Sequence, residues 1–280
     1  MIFLLLFQEG NPQIFGKQKV LKLLDYKFFY TPFLYSIHTR FKSIEKLVSW
    51  VLIYIVPVLL LILMPNGFES ELVFLSFIYL TGVYAAYEMG YIWNDAETIK
   101  NEKKPTLRLS REELRFYEES KYSIYFGRIL LITVLGGGIY FFNKEISMYY
   151  LANIVIILAL YAVYNNVRSL ANLPLHFMLV LSRYVLPIIV LSQASWASAA
   201  WLILVFPLIN LIERCSEKRF NLEFFSKFYL ANKGRGRYVY YFIVSVLCVL
   251  FSAPTYISIV VLYMLLYRLL SFEVLAFVRK

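Results

Sequence analysis

Two groups of carboxylates lie close enough along this chain to act together. The first is Glu88, Asn94, Asp95, Glu97 and Glu102, in the run Tyr-Glu-Met-Gly-Tyr-Ile-Trp-Asn-Asp-Ala-Glu-Thr-Ile-Lys-Asn-Glu-Lys-Lys-Pro-Thr. On a helix, Glu88, Tyr91 and Asp95 share one stripe at offsets of three, four and seven, and Glu102 follows Asp95 by a further seven. The second group is Asn210, Glu213, Glu217 and Glu223, interleaved with Arg214, Lys218 and Arg219. Asn210, Glu213 and Glu217 again share a helical face. Two such clusters at one membrane face suit Mg²⁺, a hard cation that takes oxygen ligands and bridges to phosphate oxygens. The neighbouring Lys and Arg would meet the remaining phosphate charge. A plainer reading of the same residues stands beside this one. Acidic and basic side chains three or four apart at helix ends are often surface pairs worth under about 1 kcal/mol.

Arg183 is more isolated, midway through the apolar run Leu-Val-Leu-Ser-Arg-Tyr-Val-Leu-Pro. A charge there must be paired or face a cavity, because lipid does not solvate it. Its alternatives are binding an anionic group, an ion pair with Glu88, and a snorkelling position near a helix end. The only histidines, His38 and His176, are far apart, so neither a histidine metal site nor a Ser-His-Asp arrangement is expected. Gly136–Gly138 reads as a close-packing position rather than a phosphate loop, since nothing strand-like precedes it. Cys215 and Cys248 imply no disulfide framework.

The elements that must position these residues are membrane helices. The 280 residues are 60% hydrophobic and 16% charged, too apolar for a soluble domain, where about 25% is charged. Runs near the length needed to cross about 30 Å of hydrocarbon lie at Leu47–Leu63, Leu72–Trp93, Tyr122–Phe142, Met148–Val167, Leu175–Leu191, Trp196–Ile212, Tyr238–Phe251 and Tyr256–Leu269. Ser271–Val278 adds a partial ninth. The expectation is an all-α, polytopic bundle of 8–9 spans, with residues 1–45 cytoplasmic or interfacial and residues 46–280 forming the bundle. Pro57, Pro187 and Pro207 fall inside spans, as kinks that neighbouring helices satisfy.

The net charge of +10 is not the footprint of a nucleic-acid protein. Seven Lys/Arg precede the first span, seven lie in Lys100–Lys121 and seven in Arg214–Arg237, while only Lys144 lies in a loop on the other side. The positive-inside rule puts the amino terminus and the loops 94–121 and 214–237 on the cytoplasmic face, with Arg279 and Lys280.

Asn94-Asp95-x-x-Thr98-x-x-x-Glu102 resembles the first aspartate-rich signature of the UbiA superfamily of intramembrane prenyltransferases, Asn-Asp-x-x-Asp-x-x-x-Asp. Thr98 and Glu102 replace its second and third aspartates, and Glu97 is a substitute carboxylate. Asn210-x-x-Glu213-x-x-x-Glu217 has the spacing of the second signature with every aspartate replaced. Tyr164-Asn-Asn-Val-Arg168 is similar to the family's Tyr-to-Lys segment after the fourth span, and Arg183 sits where some members carry Arg. Glu102-Lys-Lys-Pro-Thr-Leu-Arg108 and Lys218-Arg219-Phe-Asn-Leu-Glu223 look more like the decaprenyl-phosphate phosphoribosyltransferase branch.

The resemblance implies a UbiA-like, Mg²⁺-dependent transferase in a bacterial inner membrane, acting on a polyprenyl lipid and a soluble pyrophosphate-containing donor. Phosphoribosyl transfer to a polyprenyl phosphate leads, ahead of prenyl diphosphate transfer to an aromatic acceptor. Asp95, Glu97, Glu102, Glu213 and Glu217 would then ligate metal, and Asp95, Lys104, Arg108, Lys218 and Arg219 would carry the chemistry. Asn94, Glu88, Tyr91, Tyr164, Arg168, Arg183, Asn210 and Glu223 would contact substrate. A bundle that has lost the chemistry and serves as a scaffold or lipid carrier is the reading of another class.

Overall fold

A computed structural model describes residues 26–41, 43–102, 105–167, 169–229 and 233–278. Met1–Phe7, Lys104, Arg168, Arg279 and Lys280 therefore lie outside the described residues. Among the described residues every regular element is helical. A short helix α1 (Leu34–Thr39) precedes α2 (Ile44–Asn66), α3 (Ser70–Ala96), α4 (Arg111–Phe142), α5 (Lys144–Tyr164) and α6 (Asn172–Ser192). Then come α7 (Trp196–Val205), α8 (Pro207–Cys215), α9 (Glu223–Tyr229), α10 (Lys233–Leu250) and α11 (Thr255–Val278).

Among the described residues, six stretches are long and apolar enough to cross a membrane: α2, Ser70–Asn101, α4, α5, α6 and the consecutive pair α7–α8 from Ala197 to Cys215. The chain is thus a polytopic helical membrane protein. The expected seventh and eighth spans are helices as well, but α10 opens with Lys233, Arg235 and Arg237 and falls outside those six. Residues 271–278 continue α11 without a break rather than beginning a ninth element.

The ends of the helices are set by local chemistry. Ser110 caps α4 by accepting the Glu113 N–H at 3.2 Å while the Glu113 carboxylate accepts the Ser110 N–H at 2.6 Å, a reciprocal capping box. Asn143 caps α5 through the Ile146 N–H at 3.0 Å, so α4 and α5 turn back on each other within one residue.

Each proline inside a span has a visible effect. A proline cannot donate to the turn before it and its ring crowds that carbonyl. Val51–Ile55, just ahead of Pro57, and Leu181–Val185, just ahead of Pro187, are wound as π turns, the one-turn widening that frequently marks functional sites. Pro207 parts α7 from α8 outright.

α3, α4 and α5 pack on one another, α2 packs against the second half of α6 and against α11, and α8 packs against the first half of α6. Glycine lets α3 approach α5. A Cβ on Gly82 would fall on the Tyr150 ring and one on Gly90 on the Tyr161 ring. Of the three consecutive glycines in α4 only Gly136 is a packing position, where an added Cβ would lie 3.1 Å from the Tyr150 ring, while Gly137 and Gly138 meet open space. Residues 26–41 form a strap against α3 and α4, with Phe28, Phe29 and Tyr35 sharing a core with Ile92, Phe116, Tyr117 and Ile124.

Candidate functional site: an arginine-lined cavity above a buried arginine

A cavity of about 500 Å³ opens where the ends of α3, α5, α6 and α8 converge. Tyr91, Asn94, Glu102, Arg108, Tyr164, Glu217 and Arg219 line it, so the structure brings residues of both sequence clusters together. Arg214, named in the second cluster, lines it as well, and so do Arg40, Tyr87, Tyr161, Asn165 and His176, none of which was expected in the site from the sequence.

Asp95 lies behind the wall with its side chain fully buried. Arg40 grips it through both guanidinium nitrogens, at 2.7 and 3.2 Å, and Arg108 Nη1 adds a third contact at 3.0 Å. Tyr35 donates its hydroxyl at 3.0 Å and Asn94 its amide at 3.3 Å. Burial and the Asp95 carboxylate push the Tyr35 phenol up, so its proton stays on as the donor. Burial works against the charge on Arg40, but Asp95, Tyr91 and Tyr35 more than offset it, leaving that guanidinium above its ordinary pKa. Arg40 also sits 3.9 Å over the Tyr91 ring centroid.

Glu217 repeats the pattern on the other side of the cavity lining. Arg214 Nη1 reaches it at 2.7 Å and Arg219 Nε at 2.9 Å, and Arg214 is braced by Tyr164 and Asn172. Glu213 is turned toward α10, where Arg237 holds it bidentately at 2.6 and 3.0 Å.

The other expected site residues fall elsewhere. Glu97 is bound by Lys100 at 2.6 Å and by the Tyr117 hydroxyl at 3.0 Å, away from the cavity. Asn210 donates to the Phe206 carbonyl of its own chain turn. Lys218 and Glu223 are exposed beyond α8, the latter paired with Lys227 at 3.0 Å.

Below the cavity, Arg183 occupies the second π turn. Its guanidinium lies 4.4 Å from the ring centroid of Tyr54, 5.0 Å from Tyr84, 4.8 Å from Tyr87 and 5.3 Å from Tyr184. Tyr54 comes from the first π turn and Tyr184 from the second. The Tyr91 and Tyr84 hydroxyls accept from Arg183 at 3.4 Å, and its Nε has no hydrogen-bond partner. Arg183 does not pair with Glu88. That carboxylate is taken by Arg128 Nη1 at 3.0 Å and by the Ser36 N–H at 2.7 Å, both side chains being fully buried. Arg128 also donates to the carbonyls of Ala85, Phe29, Phe28 and Thr31. It was legible as a charge inside the expected span Tyr122–Phe142, by the reasoning that flags Arg183.

These donor sets bear on the expected magnesium. Both Asp95 oxygens accept from guanidinium groups, Glu217 lies between two arginines, and Glu97 and Glu213 are held by other cations. Among the described residues no three His, Cys, Asp or Glu side chains gather as a metal-holding group. Held in this way, these four carboxylates do not fit a magnesium centre; Glu102, the fifth expected ligand, lines the cavity. Its chemistry is that of an anion site, with Arg40, Arg108, Arg214 and Arg219 around the opening and Arg183 beneath. Compared with known proteins, the chain matches no family model, no curated protein and no solved structure.

Proposed function

We propose that this protein is a UbiA-like membrane transferase whose cavity receives the phosphorylated end of a polyprenyl substrate together with a soluble pyrophosphate-containing donor. Arg183 carries the reading. A permanently charged group inside a membrane bundle, ringed by tyrosines and with no carboxylate partner among the described residues, is in want of an anion. Tyr91 joins it to the cavity, touching Arg183 through its hydroxyl and Arg40 through its ring face. A lipid phosphate held at this depth would leave its hydrocarbon among the helices.

In the leading reaction the donor is phosphoribosyl pyrophosphate. Its C1–O bond breaks, pyrophosphate departs with the electron pair, and a phosphate oxygen of the polyprenyl acceptor forms the new C1–O bond. Arg108 and Arg219 at the cavity opening would stabilise the departing charge, and Arg183 would orient the acceptor. This is catalysis by fixed charge rather than by a general base. The alternative chemistry, prenyl diphosphate transfer to an aromatic acceptor, would use the same cations on the prenyl donor.

A non-catalytic lipid-binding bundle is the second reading, favoured by the engagement of both Asp95 oxygens with two arginines and a tyrosine, which takes up the lone pairs expected to ligate metal. The deciding experiment is incubation of the purified protein in Mg²⁺ buffer with each donor and its acceptor, following pyrophosphate release and the lipid product. Turnover with phosphoribosyl pyrophosphate and polyprenyl phosphate is expected. Pyrophosphate release from neither donor would sink both transferase chemistries.

A further inference from the structure

We infer that the cavity binds a diphosphate through arginines alone, with no metal ion between protein and ligand; this rests on the transferase reading above and names how its donor is held. Two carboxylates at the cavity are each enclosed by two guanidinium groups, Asp95 just behind the wall by Arg40 and Arg108 and Glu217 in the wall by Arg214 and Arg219, while Glu102 also lines the opening. A carboxylate that ligates Mg²⁺ must present an oxygen lone pair to the ion, and the surrounding cations would repel it. In this cavity the guanidinium of Arg40 stands against Asp95 where a metal would otherwise bridge carboxylate and phosphate.

Each Arg–carboxylate–Arg set keeps one net positive charge. The two together contribute two positive charges against the one negative charge of Glu102, and Asp95 and Glu217 serve to fix the guanidinium planes rather than to hold metal. Arg108 reaches Asp95 through Nη1 at 3.0 Å, and Arg219 reaches Glu217 through Nε at 2.9 Å. Their side chains are 34% and 45% exposed, so their other N–H groups are available to a ligand in the opening. Guanidinium groups meet phosphate oxygens bidentately, which gives a diphosphate both charge and geometry.

The arginine site and a metal site respond with opposite sign to removal of a carboxylate charge. Neutralising Glu217 raises the positive charge facing the ligand, so it tightens arginine-held pyrophosphate and weakens metal-held pyrophosphate. Glu217 is 35% exposed, and Glu217→Gln keeps its size and one of its two acceptor oxygens, so the fold survives.

The test is binding of inorganic pyrophosphate to the purified full-length chain in detergent, read as a thermal shift and as a Kd, in EDTA and in excess Mg²⁺. Stabilisation in EDTA is expected, with tighter binding by Glu217→Gln. Arg108→Gln and Arg219→Gln should each weaken binding about tenfold, the loss of one charge-assisted contact worth about 1.4 kcal/mol. A shift that needs Mg²⁺ and disappears in Glu217→Gln overturns the inference and leaves the transferase reading standing. No shift under either condition overturns the inference and removes the donor site from the proposed function as well.

Discussion

Arg128 and Arg183 are both arginines buried inside the bundle, yet their surroundings give them opposite tasks. Arg128 meets Glu88 and a set of backbone carbonyls and has nothing left to offer a ligand. Removing one member of such a pair leaves a charge stranded, so Arg128→Met should cost about 3 kcal/mol or more, seen as a lowered unfolding temperature in detergent. Arg183 has only hydroxyls and ring faces around it, so Arg183→Met should leave that temperature close to wild type. Turnover should nonetheless fall on the order of 100-fold, in line with the loss of one preorganised charge at a reacting centre. A large drop in both quantities for Arg183→Met would mark it as a structural residue instead. The stripe of Glu88, Tyr91 and Asp95 was legible in the sequence, and Tyr91 does face the cavity while Asp95 lies just behind its wall. The partners of those carboxylates were not legible, because Arg40 and Arg128 arrive from segments 55 and 40 residues away. Helical spacing says which side of an element a residue is on and nothing about what faces it.

At the scale of the elements, two features shape the site. The paired π turns bring Tyr54 within 4.7 Å of Tyr184, and they enclose Arg183 between α2 and α6. The prolines that accompany them were visible as expected kinks, but a widened turn is a response to packing on both sides and leaves no spacing signal. Gly90 lets the Tyr161 ring lie against α3 at the cavity wall, where Asn165 also donates to its carbonyl at 3.1 Å. Gly90→Ala should force that ring outward or part α3 from α5, costing about 1–3 kcal/mol as overpacking does. A thermal melt of the variant checks the cost. Gly137→Ala, with nothing within 4 Å, is the control that should leave the melt unchanged or raise it slightly. The glycine run in α4 drew notice in the sequence because it is a run. The single glycines in α3 carry more of the packing, since only the position opposite a tyrosine determines whether a Cβ fits.

Across the whole molecule, the long basic segments gather at the end of the bundle where the cavity opens, and the α4–α5 turn with Lys144 lies at the far end of those two helices. If the positive-inside bias governs insertion, Glu119→Cys, near the start of α4, should react with a membrane-impermeant thiol reagent only after the membrane is opened. Glu145→Cys should react in intact cells. The reverse pattern would invert the orientation. Cys215 and Cys248 are both buried, which keeps the background of such labelling low. Helical spans and charge bias were plain in the sequence because lipid imposes them residue by residue. The completed cavity was not, because its wall joins the earliest described part of the chain to the middle and later helices. That union has a consequence for biosynthesis. The carbonyl of Phe29 is anchored by a side chain 99 residues downstream, so the strap that delivers Arg40 can meet α3 as soon as that helix emerges but is not locked until α4 has entered the membrane. The first part of the cavity to be synthesised is thus fixed late, and a nascent chain halted before α4 would hold Glu88 without its counter-charge, Arg128.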